Sequence, residues 1–149
     1  SPEQAAINFN REVADADVQL ISGKAREQWN NYLGRVEAEG GTDEQLRTFY
    51  SCLYRTLLFP REFYEFDSQG NPVYYSPYDG NVHDGYMYTD NGFWDTFRAV
   101  HPLFTLLYPE VSERVTQSII NAYNESGFMP EWASPGHRGC MIGNNSVSF

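Results

Sequence analysis

Along much of this chain apolar residues recur at three- and four-residue steps, the spacing of one face of an α-helix. Residues 3–14 read as a short, moderately apolar helix, with Asp15 and Asp17 interrupting the pattern. A second helix is predicted from Ser22, as its N-cap, through Ala25, Trp29, Tyr32, Leu33 and Val36, ended by Gly40 and Gly41. Thr42-Asp43-Glu44-Gln45 has the form of a capping box. It opens a helix through Leu46, Phe49, Tyr50, Leu53, Tyr54 and Leu57, which Pro60 stops. Two helices joined by a Gly-Gly turn make an αα-hairpin.

Between 61 and 92 the helical period disappears. Pro72, Pro77, Gly70, Gly80 and Gly85 punctuate short aromatic runs such as Phe63-Tyr64-Glu65-Phe66 and Val73-Tyr74-Tyr75. This predicts a long loop with a small hairpin around Ser68-Gln69-Gly70-Asn71. A loop of this length in a compact domain usually carries function or is disordered, and one so aromatic is not expected to be disordered. A second helical hairpin follows. Its first helix is expected from Trp94 or Asp95 to Tyr108, perturbed at Pro102. Pro109 suits the first position of the next helix, which carries Val111, Val115, Ile119, Ala122 and Tyr123 and stops at Gly127. Residues 128–143 return to a polar-aromatic loop, and Gly143-Asn144-Asn145-Ser146 has the form of a helix start. A helix start three residues before Phe149 leads us to read the chain as a fragment of a longer domain.

The run from Gly92 to Leu103 departs from ordinary amphipathic patterning. Phe93, Trp94 and Phe97 are interleaved with Asp95, Arg98 and His101, so titratable groups sit directly beside aromatic surface. Sugar sites need that mixture, with rings to cover the apolar face of a pyranose and charged groups to hold its hydroxyls. The alternative is a core helix whose Asp95 caps its N-terminus and whose Arg98 pairs with a neighbour. If the loops gather at one end of the hairpins, Trp94, Asp95, Glu131, Trp132, His137 and Arg138 line one cleft. Taken singly, Glu131 also reads as a solvated loop acid or a partner of Arg138, and His137-Arg138 as a surface basic pair.

Charge and composition narrow the partners. A net charge of -10 with only 10 Lys and Arg offers no basic patch for nucleic acid. No stretch approaches the roughly 18 apolar residues of a membrane span. Cys52 and Cys140 make no metal motif; they either pair in an oxidising compartment or remain free thiols. Asp79, Asp84 and Asp90 with Asn81 offer oxygen ligands, but their spacing is not that of an EF-hand loop and they read as polar surface. No His/Cys pattern supports zinc, and no glycine-rich loop after a strand supports a nucleotide. Asp95 and Glu131 are available as the carboxylate pair most glycosidases require, or as groups that simply grip hydroxyls, and sequence does not set their separation.

Several blocks resemble glycoside hydrolase family 92: Glu37 to Thr42, Phe49-Tyr50 to Leu57-Leu58, Phe93 to Leu103, Met129 to Arg138, and Met141 to Ser146. Trp94-Asp95-Thr96-Phe97-Arg98 and Pro130-Glu131-Trp132 through Gly143-Asn144 are the specific part. The resemblance implies a calcium-dependent exo-α-mannosidase, secreted or periplasmic, acting on N-glycans or mannan by inversion. It implies an all-α catalytic domain, an (α/α)₆ toroid of helical hairpins with long aromatic loops, preceded by a β-sandwich. In that frame Trp94 and Asp95 contact the terminal mannose, while Glu131, Trp132, His137 and Arg138 are pocket-wall residues. The catalytic acid and base lie downstream of the residues present, no calcium ligand is placed among them, and the fragment alone is expected to be inactive. Two other readings stand beside it: another toroid glycosidase, and a non-catalytic carbohydrate-binding helical module that uses Trp94 and Trp132 as stacking platforms.

Overall fold

A computed structural model describes residues 1–13 and 17–137. The expected helix start at 143–146, together with Arg138 and Cys140, lies outside the described residues. The chain divides into two compact units, Ser1–Leu58 and Phe59–Phe149.

The first unit is helical. Helix α1 (Pro2–Glu12) is capped by Ser1, whose hydroxyl accepts from the Gln4 amide at 3.2 Å. Helix α2 (Val18–Leu33) begins earlier than the apolar pattern predicts. Its N-cap is Asp17, whose Oδ1 accepts from the Leu20 amide at 2.7 Å, so Ser22 lies inside the helix. Aspartate and serine are comparable caps, and a pattern of apolar residues does not choose between them. The helix also ends earlier, at Leu33, beyond which Arg35 and Val36 close only loose turns onto Tyr32 and Leu33. Helix α3 (Asp43–Thr56) opens with the expected capping box: Gln45 N donates to Thr42 Oγ1 at 3.3 Å and Thr42 N to Gln45 Oε1 at 2.9 Å. Trp29 meets Tyr54 edge to face at 4.6 Å between α2 and α3. The connection is strapped down by Tyr50, whose hydroxyl donates to Val36 O at 2.9 Å and accepts from Ala38 N at 3.3 Å.

The second unit departs from an all-α class. Residues 61–92 are not one long loop but a set of short strands. β1 (Arg61–Glu62) pairs antiparallel with β5 (Tyr88–Thr89). β2 (Glu65–Phe66), β3 (Pro72–Tyr75) and β4 (Val82–Asp84) form a three-stranded antiparallel sheet. The β2–β3 turn is the expected hairpin: Asp67 Oδ1 accepts from the Gln69 and Asn71 amides, each at 2.8 Å, and Gly70 takes a left-handed φ of 86°. β6 (Asn91–Gly92) pairs with β7 (Trp132–Ala133), which follows the helices.

The helix expected over 94–108 is broken into α4 (Phe93–Thr96) and α5 (Val100–Leu107). In a continuous helix the Pro102 ring would meet the carbonyl four residues back, so the break falls ahead of it and leaves Pro102 in the first turn of α5. Helix α6 (Pro109–Ser126) starts at Pro109 and ends at Gly127, φ 80°, as the sequence indicates. Tyr88, Phe93, Val115, Ile119 and Ala133 form the core. The buried Ser118 accepts from Tyr88 N at 2.8 Å, and Asn121 donates to Tyr86 O at 3.1 Å, tying the strands to α6. No helix among the described residues is long and apolar enough to cross a membrane.

Candidate functional site

Strand pairing builds a cleft of about 480 Å³ within the second unit, lined by Phe59, Arg61, Asp90, Gly92, Asp95, Thr96, Trp132 and Ser134. Its volume is in the range of ligand pockets, roughly 300–1,000 Å³. The register Gly92↔Trp132 sets one wall. A Cβ placed on Gly92 would stand 2.7 Å from Asp95 Oδ2 and 3.1 Å from the Trp132 ring. The carboxylate and the indole therefore converge over one residue that has no side chain, and only glycine leaves that space open.

The opposite polar wall comes from β1 and the residue after β5. Arg61 stands opposite Thr89, which places its Nη1 3.5 Å from Asp90 Oδ2. Ser134 donates to Asp90 Oδ1 at 3.2 Å. Asp90 takes φ 58°, a left-handed conformation that aspartate tolerates better than most residues.

Behind the cleft, Asn91 connects α4 to α5. Thr96 shares its hydroxyl hydrogen between Asn91 Oδ1 and Gly92 O, both at 3.0 Å, and Asn91 Nδ2 lies 3.3 Å from His101 Nε2. Desolvation lowers the His101 pKa from 6.5 to about 4, so the ring is neutral at neutral pH. A neutral ring accepts the Asn91 amide hydrogen at Nε2.

Of the residues singled out in the sequence, Asp95 and Trp132 line this cleft together. Trp94 is exposed and does not line it; the Arg98 guanidinium lies 5.0 Å from its ring centroid, and Arg98 Nη2 donates to Trp94 O at 3.4 Å. Glu131 is exposed at the entry to β7 and also stands outside the lining. His137 sits against the end of α6, its Nε2 2.7 Å from Ser126 Oγ and its ring edge-on to Tyr78 at 4.8 Å. Arg138 falls outside the described residues. Sequence reasoning misses Arg61 and Ser134 and reads Asp90 only as loop acidity. Strand pairing, not spacing, brings these three into contact.

A second polar cluster lies on the β3–β4 hairpin. Asp79 Oδ2 is 2.8 Å from His83 Nε2, and Glu125 of α6 accepts from the Tyr74 hydroxyl and, at 2.5 Å, from Ser76 Oγ. The Asn81 amide, followed by the His83 contact, holds the Asp79 carboxyl down at about 2. Burial first, then the bond to Glu125, pushes the Tyr74 phenol well above its ordinary range, so it remains a donor.

Calcium takes six to eight oxygen ligands. Among the described residues the one convergent group of three potential metal ligands is Asp79, His83 and Glu125, which includes an imidazole. Asp84 and Asp90 are not part of it, and Asp90 is committed to Arg61 and Ser134. Among the described residues no three carboxylates converge on one point.

In chemical terms the cleft offers a carboxylate that accepts from hydroxyls, a guanidinium that donates, and an aromatic face for C–H groups. Residues 4–149 match the family described as "Glycosyl hydrolase family 92 catalytic domain". Among solved structures, the family 92 glycosyl hydrolase CcMan5 is similar, with a TM-score of 0.73 and 24% sequence identity. The alignment covers 98% of this chain and 22% of that one, so the chain spans about a fifth of its structural relative. A comparison with curated proteins finds no match.

Proposed function

The chain belongs to glycosyl hydrolase family 92, within its catalytic domain, and on that premise we propose that it supplies part of the sugar-binding wall of an exo-α-mannosidase. The substrate is a terminal α-linked mannose of an N-glycan or mannan, and the location is outside the cytoplasm. The carrying observation is the convergence of Asp95 and Trp132 over Gly92. A pyranose presents an apolar C–H face and a rim of hydroxyls. The indole suits the first and the carboxylate the second. Arg61, held by Asp90, adds a donor across the cleft.

On this reading the helix pairs α2–α3 and α5–α6 are two hairpins of an (α/α)₆ toroid. Hydrolysis proceeds with inversion, one carboxylic acid protonating the leaving oxygen and one carboxylate activating water on the other face. Both come from polypeptide outside residues 1–149. Asp95 binds and orients the reacting sugar, and orientation alone contributes strongly to rate. Trp94, two residues after Gly92, Glu131, which precedes Trp132, and His137 with Arg138 further on belong to the proposal as wall residues beyond the described cleft. Calcium belongs to it through the family resemblance, and the roles of Asp95, Trp132 and Arg61 do not depend on it.

Saturation-transfer NMR with methyl α-mannoside tests the reading. Transfer to the sugar ring protons is expected in the parent chain and lost in Asp95→Ala. Equal transfer from the corresponding galactoside, or transfer unchanged in Asp95→Ala, would overturn it. Mannoside binding without mannose release, by a polypeptide that includes the remainder of the toroid, would favour the non-catalytic carbohydrate-binding module instead.

A further inference from the structure

Asp79, His83 and Glu125 line no part of the cleft around Asp95. Asp79 comes from the turn after β3, His83 from β4, and Glu125 from the last turn of α6. One ligand-capable atom of each lies within 4.8 Å of the other two. Sequence places Glu125 far from the other pair, so it is tertiary packing that brings the three donors together.

The surroundings are those of a held ligand set. Ser76, itself fully buried, and Tyr74 both donate to Glu125 and fix its carboxylate. Metal-binding carboxylates commonly have outer hydrogen-bond partners of this kind. Two carboxylates face one imidazole, and no lysine or arginine pairs with either acid among the described residues. The Asp79 and His83 side chains keep 25% and 35% of their surface exposed, which leaves an entry path.

We propose that Asp79, His83 and Glu125 bind a divalent cation of the zinc class. One imidazole nitrogen with two carboxylate oxygens suits a four-coordinate borderline metal, water completing the shell, and not calcium. Metal–ligand bonds of about 2.0–2.2 Å place tetrahedral donors roughly 3.5 Å apart. The cluster closes by about an ångström at its widest, a movement these partly exposed side chains can make by small rotations. A metal bound at His83 Nε2 replaces the hydrogen in the contact to Asp79, and the ring hydrogen is then carried on Nδ1. This site does not depend on the mannosidase reading, and its test does not measure sugar turnover.

The experiment is a calorimetric titration of zinc(II) into protein stripped with a chelator, repeated with cobalt(II) as an absorption probe. One ion per chain is expected, with cobalt d–d bands and no thiolate charge-transfer band. His83→Gln and Glu125→Gln should each weaken binding at least tenfold, while Asp84→Asn, the neighbouring exposed carboxylate, leaves it unchanged. His83→Gln keeps an amide donor towards Asp79, and Glu125→Gln keeps the size of the side chain and one of the two oxygens that Tyr74 and Ser76 use. An unchanged melting temperature in either variant therefore assigns its loss to ligation rather than folding. No stoichiometric binding, a thiolate band, or binding unchanged in both variants would overturn the proposal.

Discussion

Asn91 and His101 meet side chain to side chain inside the protein, the Asn91 amide nitrogen 3.3 Å from His101 Nε2. The contact fixes the residue immediately before Gly92, and the same amide receives the Thr96 hydroxyl from the end of α4. Asp95 is thereby carried on a turn whose two ends are both anchored to Asn91.

That arrangement makes stability depend on pH in a defined direction. His101 titrates near 6.5 when unfolded and near 4 when buried. Above pH 6.5 both states hold it neutral and its contribution is complete. As pH falls from 6.5 towards 4 the unfolded chain takes up a proton that the folded chain refuses, so stability declines through this window. The loss approaches roughly 3 kcal/mol. Urea unfolding at closely spaced pH values should show that slope, and His101→Gln should flatten it. A slope of equal size in the variant would assign it to other groups.

Gly92→Ala introduces a methyl where Asp95 Oδ2 and the Trp132 ring already stand. The carboxylate and the indole must separate, and on the proposed mannosidase reading mannoside binding should weaken at least tenfold while the core, which does not include Gly92, stays intact. Tryptophan emission and saturation transfer measured on one sample would check both statements. Undiminished binding would show that the convergence over Gly92 is not what holds the sugar.

At Asp90 two substitutions separate backbone from side chain. Asp90→Gly suits φ 58° but loses the bonds to Arg61 and Ser134; Asp90→Ala loses the same bonds and keeps the conformational cost. The alanine variant should be less stable than the glycine variant by about 1 kcal/mol. Equal thermal melts would mean that the backbone relaxes away from the left-handed region.

Ser118→Ala removes the acceptor of the buried Tyr88 amide. A buried donor left without a partner costs about 1–3 kcal/mol, so the variant should melt lower. Faster hydrogen exchange at Tyr88 is the specific signature. A lower melting temperature without it would point to lost packing alone.

The helices are legible in the sequence where chain chemistry is local. Thr42 with Gln45 announces α3, and Pro109 and Gly127 bracket α6, because caps and breakers act within a turn of themselves. Asp17 shows the limit of that logic: in the apolar pattern it is an interruption, and in the fold it caps α2. Strands of two residues such as β1, β5, β6 and β7 carry no readable alternation, and only their distant partners define them. The cleft shares that property. Asp95 and Trp132 stand out by their neighbours, but Arg61 and Ser134 become visible only through pairing, as does Glu125 beside His83.

One register carries a cost that substitutions alone would not reveal. Gly92 faces Trp132, while the next residue of β7, Ala133, turns inward and is buried. Side chains alternate along a strand, so slipping β7 by one residue would bury the indole and expose the alanine. The segment between the two strands, α5 and α6 included, therefore works as a ruler that decides which residue meets Gly92. Within the family, insertions or deletions in that segment would redraw the cleft without changing any residue that lines it. The gap length between Gly92 and Trp132, rather than the identity at either position, is then the quantity that sets the shape of the cleft from one relative to another.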